Sequence, residues 1–154
     1  MTYNLKINHK AVKFIYANRS TDIVLNATSV YADSQYPLTT LGGSTGVQAA
    51  LSGGDIVLGS KVYHGVFYPF TGGDDQFSMR IFINGSPLST QRTINKPGNS
   101  LVPSALTRSL PLFFSYTASA GDVLSIRYSK NPGAIYNIYS VSYGTNIFLM
   151  EVDK

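Results

Sequence analysis

Apolar and polar side chains alternate along most of the second half of this chain, with a period of two. In residues 76–84, QFSMRIFIN, Phe77, Met79, Ile81 and Ile83 fall on one side. Ser78, Arg80 and Phe82 fall on the other, as successive residues of a strand must. The same reading predicts strands over 55–58, 62–70, 88–94, 110–118, 123–129, 135–141 and 145–152. Turn chemistry separates them: TGGDD at 71–75, Asn84-Gly85-Ser86-Pro87, Ala120-Gly121-Asp122 and Asn131-Pro132-Gly133. Shorter strands are predicted over 3–7, 12–17 and 22–31, with Asn18-Arg19-Ser20-Thr21 as a turn. Residues 33–54 break the pattern. They are rich in Gly, Ser and Thr, and GVQAAL within them predicts one or two helical turns. A connection of that length is expected to be functional or to cover something. Pro111 cannot donate to a ladder, so its strand is expected at an edge or a bulge.

Many short strands at roughly 8–12-residue spacing, without an amphipathic helix, predict an all-β antiparallel sandwich or jelly roll. At 154 residues the chain fits one domain. Charged residues make up 13% of it, against about a quarter in an average globular protein. There are 11 Tyr and 8 Phe, and Phe82 stands on the face of its strand that water is expected to wet. A second buried surface, supplied by partner subunits, would account for both.

The net charge of +4 does not imply nucleic acid, because the basic residues are scattered singly along the chain. No Cys is present, so disulfide and thiolate chemistry are excluded. MTYNLKINHK lacks the apolar core of a signal peptide, and no stretch approaches the roughly 20 apolar residues of a membrane helix. The expectation is a chain made in the host cytoplasm, with no membrane and no nucleic acid among its partners.

Candidate chemistry is sparse. His9 lies in a polar stretch and His64 mid-strand, where a hydrogen-bonded structural imidazole is the expected role. A catalytic His64 would need a nearby Ser or Thr and an orienting acid, and no G-x-S-x-G elbow exists. Asp74, Asp75 and Asp122 are the best oxygen ligands for a cation such as Ca²⁺, but they match no EF-hand spacing and suit ordinary turns. Two His without Cys make a poor zinc set, and no phosphate-binding glycine loop is present. No catalytic residue, no metal and no cofactor are therefore expected. Tyr136, Tyr139 and Tyr143, interleaved with Ser and Asn, form a candidate ligand surface for sugars; alternatively they fill the core or a subunit contact.

Gly65-Val66-Phe67-Tyr68-Pro69-Phe70 resembles the G-x-Y-x-F strand of C1q/TNF-like jelly rolls. It is followed by a long strand ending in Asn84-Gly85, by a Ser-rich strand running into Ala120-Gly121-Asp122-Val123, and by a closing apolar strand over 145–152. The resemblance covers residues 62–152, with the family's first strands expected within 22–58. It implies a homotrimer whose three-fold axis is lined by apolar and aromatic residues, and Phe82, Phe113 and Tyr128, each read as lying opposite the core face, are the candidates for that axis. The fold serves cytokines, complement-type recognition, bacterial spore-surface filaments, and the spikes, head fibres and decoration proteins of phages. With no signal peptide, Cys or collagen stalk, this chain looks more like a non-enzymatic virion surface protein. Residues 1–20 are then an arm docking on a capsid or other virion protein, and 21–154 a single jelly-roll domain. The alternative is a lectin-like tip that binds a cell-surface glycan or host receptor.

Overall fold

The structure, a computed structural model, describes residues 12–19, 23–26, 34–68, 70–72, 77–88, 93–94, 106–108, 111–130, 138–141 and 146–153. The strands in chain order are β1 (Lys13–Asn18), β2 (Ile23–Asn26), β3 (Ser34–Tyr36), β4 (Thr40–Gly43), β5 (Ala49–Ser52), β6 (Asp55–Leu58), β7 (Val62–Tyr68) and β8 (Phe70–Gly72). They continue with β9 (Phe77–Ile83), β10 (Ser86–Pro87), β11 (Thr93–Ile94), β12 (Leu106–Arg108), β13 (Leu112–Thr117), β14 (Val123–Lys130), β15 (Ile138–Val141) and β16 (Asn146–Val152). No helix occurs among the described residues.

A first sheet has the order β13-β7-β16-β1-β4, and a second has β10-β9-β14-β6-β5, with β11 added to β9 and β3 to β14. A small third sheet, β12-β8-β15-β2, repeats the first strand for strand, since each member is the chain neighbour of its counterpart in β13-β7-β16-β1. The first sheet thus runs on lengthwise after an interruption, and the sequence supplies one cause: position 69, between β7 and β8, is a proline without an N–H to give.

The first two sheets enclose one core. Ile15, Ala17, Tyr63, Phe67, Ile147 and Leu149 enter it from the first sheet. Ile56, Leu58, Met79, Ile81, Ile83, Leu124, Ile126 and Tyr128 enter from the second. Gly65 faces this core, paired with Phe114 of β13 and Leu149 of β16. A Cβ at position 65 would run into the Phe114 ring and Leu149 Cδ2, so the glycine of the G-x-Y-x-F-like strand is the hollow that seats an aromatic from the edge strand.

Three expectations are corrected. Residues 13–18 are no arm: β1 lies between β16 and β4 and sends Ile15 and Ala17, both 0% exposed, into the core. Any attachment arm is confined to residues before Lys13. The connection over 33–54 holds three strands, and the segment GVQAAL is not helical but leads into β5, which pairs with β6. Val47, Ala49 and Leu51 pack against the core while Gln48 and Ala50 are exposed, a strand alternation. Pro111, as expected, immediately precedes an edge strand, β13.

Candidate functional site

Register alone arranges the outer side chains of the first sheet, those pointing away from the core. One row runs Phe113, Val66, Phe148, Tyr16, Gly42 across all five strands. The next runs Ser115, His64, Met150, Phe14, and a third runs Thr117, Val62, Val152. At the other end Tyr68 stands beside Asn146, and Asn146 beside Asn18. The diagonal neighbours Phe14 and Phe148 stack with centroids 5.7 Å apart and planes 11° from parallel. Gly42 has no Cβ because the Tyr16 ring occupies that place.

Among the described residues the large exposed hydrophobic side chains are Val12, Phe14, Tyr16, Tyr68, Phe113, Phe148, Met150 and Val152. All of them belong to this one face, and Phe113, at the edge, is 72% exposed. No Asp, Glu, Lys or Arg occupies an outward position in the rows above. Contiguous apolar patches beyond a few hundred Å² mark interaction surfaces on soluble proteins.

Charge is held at the margins instead. Glu151, 5% exposed, turns to the core side, where its carboxylate accepts the Gln48 N–H at 2.7 Å with Lys13 Nζ 4.0 Å away. The Tyr63 hydroxyl donates to the Gln48 carbonyl at 2.9 Å, and burial pushes its pKa up to about 12. Lys61 pairs with Asp153 at the sheet's end, and the hydrogen bond to that carboxylate raises the lysine's pKa. These contacts pin residues 46–48 over one end of the sheet, aided by Lys13 Nζ donating to the Gly46 carbonyl at 2.7 Å.

The three residues proposed for a symmetry axis separate. Phe113 is on the exposed face. Tyr128 points the other way, into the core with Leu124 and Ile126, and is 8% exposed. Phe82 does lie on the side of β9 opposite the core, but the chain itself covers it, leaving 4% exposed. Arg80 Cζ and Arg127 Cζ lie over its ring at 5.0 and 4.9 Å, and Ser78, Ser125 and Ser129 on the same side are also buried. Phe82 and Tyr128 are therefore no part of a subunit contact in this fold. Phe14, Tyr16, Phe148 and Met150 were missed, although residues 12–17 and 145–152 alternate visibly. Both of their faces are apolar, so periodicity does not tell which is core.

His64 stands in the middle of the face with Ser115 directly across β13, but no carboxylate shares the described part of that face to orient the imidazole. Asp122 works as a turn latch: it accepts from Tyr116 Oη at 2.8 Å, Ser119 N at 2.8 Å and Asn84 Nδ2 at 2.9 Å. Asp74, Asp75, Tyr136 and Tyr143 lie outside the described residues. Tyr139 stands in β15 opposite Leu25 of β2, away from the exposed face. Among the described residues no cluster of three or more His, Cys, Asp or Glu could hold a metal.

No protein-family model and no curated protein matches this chain. Solved structures do. Murine APRIL at pH 8.0 superposes with a TM-score of 0.63 at 9% identity, over 92% of this chain and 99% of that one. The pH 8.5 form gives 0.60 at 9% identity, with 92% and 99% covered. Eiger TNF from S. frugiperda gives 0.61 at 10% identity, over 93% of this chain and 94% of that one. Identity this low shows the fold alone, and with the five- and seven-stranded sheets closing on one core, that fold is the TNF/C1q-like jelly roll.

Proposed function

We propose that this chain is a non-enzymatic structural protein that works as a homotrimer assembled through the outer face of its first sheet, displayed on a virion as a capsid decoration or head-fibre protein. The observation that carries the assembly is the uncharged face centred on Phe113, Phe148, Tyr16 and Phe14. Each large apolar side chain that a copy of the chain covers contributes about 1.5–3 kcal/mol. Several together offset the roughly 4–15 kcal/mol lost in association. Three-fold closure is supported by the fold, since the jelly rolls that this chain resembles close in threes. The virion setting is supported by the low charge and by the sequence's likeness to phage head-fibre and decoration modules.

Sedimentation equilibrium of the purified chain tests the assembly. The expected mass is three times 16.7 kDa, and a single-chain mass at tens of micromolar would sink it. Gene order tests the setting: a major capsid gene adjacent to this one supports display on a virion, whereas a metabolic operon removes it.

A further inference from the structure

One ionisable group near neutrality stands in the middle of an otherwise uncharged sheet face. We infer that His64 makes assembly through this face dependent on pH, so that acid separates the subunits without unfolding them; the inference rests on the trimeric reading above.

The geometry is as follows. His64 is exposed in the isolated chain and lies between Ser115 of β13 and Met150 of β16, with Val62 and Val66 before and after it on its own strand. The outward residues of β13 are Phe113, Ser115 and Thr117, and those of β16 are Asn146, Phe148, Met150 and Val152. None is charged. On β1 the outward groups are Phe14, Tyr16 and Asn18, and on β7 itself the only other titratable one is Tyr68, four residues on. The nearest carboxylate in sequence terms, Glu151, is turned to the other side and engaged with Gln48 and Lys13. Once copies of the chain exclude water from the face, an imidazolium there loses its hydration, and its own face supplies no anion to replace it.

The sign follows. The assembled state binds fewer protons than the separated chains, so association is strongest above the ordinary imidazole value of about 6.5 and weakens as pH falls through it. Three copies release a proton each on assembly. Between pH 7.5 and pH 5 the association constant of a trimer is therefore expected to fall on the order of 10⁴-fold if all three imidazoles must be neutral. Carboxylates titrate near 4 and lie below this window.

Sedimentation velocity of the full chain at low micromolar concentration, at pH 7.5 and pH 5, tests this, with far-UV circular dichroism as the check on folding. The wild type is expected as a trimer at pH 7.5 and as a folded single chain at pH 5, while H64Q, neutral throughout, stays trimeric at both. A wild type that stays trimeric at pH 5, or an H64Q that dissociates alongside it, overturns the role of His64 and leaves the trimer standing. A single chain at pH 7.5 overturns both. Should H64Q not fold, the imidazole proton resonances of wild-type His64 decide: a titration midpoint at or above 6.5 in the trimer overturns the inference, and one well below it supports it.

Discussion

Phe82 and Phe113 are both aromatic residues on the non-core side of a strand, yet they have opposite roles. Phe82 is closed in by its own chain, with two guanidinium groups over its ring. Arg80 and Arg127 are direct cross-strand partners, an arrangement that repels, and the negative face of the ring offsets part of that repulsion. Replacing it with Asp removes a buried ring, worth about 3–5 kcal/mol, and buries a charge besides. That is comparable to the total stability of a domain, about 5–15 kcal/mol. Phe82→Asp is therefore expected to leave the chain largely unfolded by circular dichroism. Phe113→Asp changes a side chain that is 72% exposed, so the single chain is expected to keep its fold and melting temperature when measured as a monomer. At Gly65 the effect is steric: Gly65→Ala drives a methyl into the Phe114 ring and is expected to cost about 1–3 kcal/mol in urea unfolding.

Strands with strong alternation were legible from the sequence: β6, β7, β9, β13, β14 and β16 fall where the pattern put them. Strands β3, β4 and β5 were not, because SQY, TLGG and AALS carry weak strand preference of their own. Their conformation comes from partners, β14, β1 and β6 respectively, a tertiary effect that local composition does not encode. The turns were legible in kind but not in purpose. Asn84, with φ of 49°, and Asp122 bind one another across two turns, and Asn84 Oδ1 accepts from Val123 N at 2.9 Å, so one pair of polar residues ties the end of β9 to the start of β14. Asp122→Ala leaves the Tyr116 hydroxyl, the Ser119 N–H and the Asn84 amide without their acceptor, and about 1–3 kcal/mol of stability is expected to go with it. The same bond raises the pKa of Tyr116, chiefly because the hydroxyl donates to Asp122, and the buried Tyr63 is raised to about 12. Raised tyrosines stabilise the fold below the ordinary value of about 10, and that contribution is lost as pH climbs through the folded values. Thermal stability is thus expected to decline above pH 10, and Asp122→Asn to bring the Tyr116 titration back down.

At the scale of the whole molecule, the chain puts nearly all of its charge anywhere but on the outer face of β13, β7, β16 and β1. A monomer in water gains nothing from an uncharged, aromatic sheet face, whereas an oligomer gains area-proportional burial there. The two kinds of attachment respond differently to salt. Exposed ion pairs are screened within about 3 Å at 1 M ionic strength, while apolar contacts are not, and sulfate strengthens them. If the first sheet holds the copies together, the trimer is expected to persist from 0.15 M to 1 M sodium chloride and to tighten in ammonium sulfate, as sedimentation equilibrium will read. Phe148→Asp, at the middle of the face, and Phe113→Asp, at its edge, are each expected to give a folded single chain, because every copy would bury an unpaired carboxylate at a cost of several kcal/mol. Dissociation by salt with no effect from either Asp would place the contact on charged surface elsewhere, and the first sheet's face would then need another occupant.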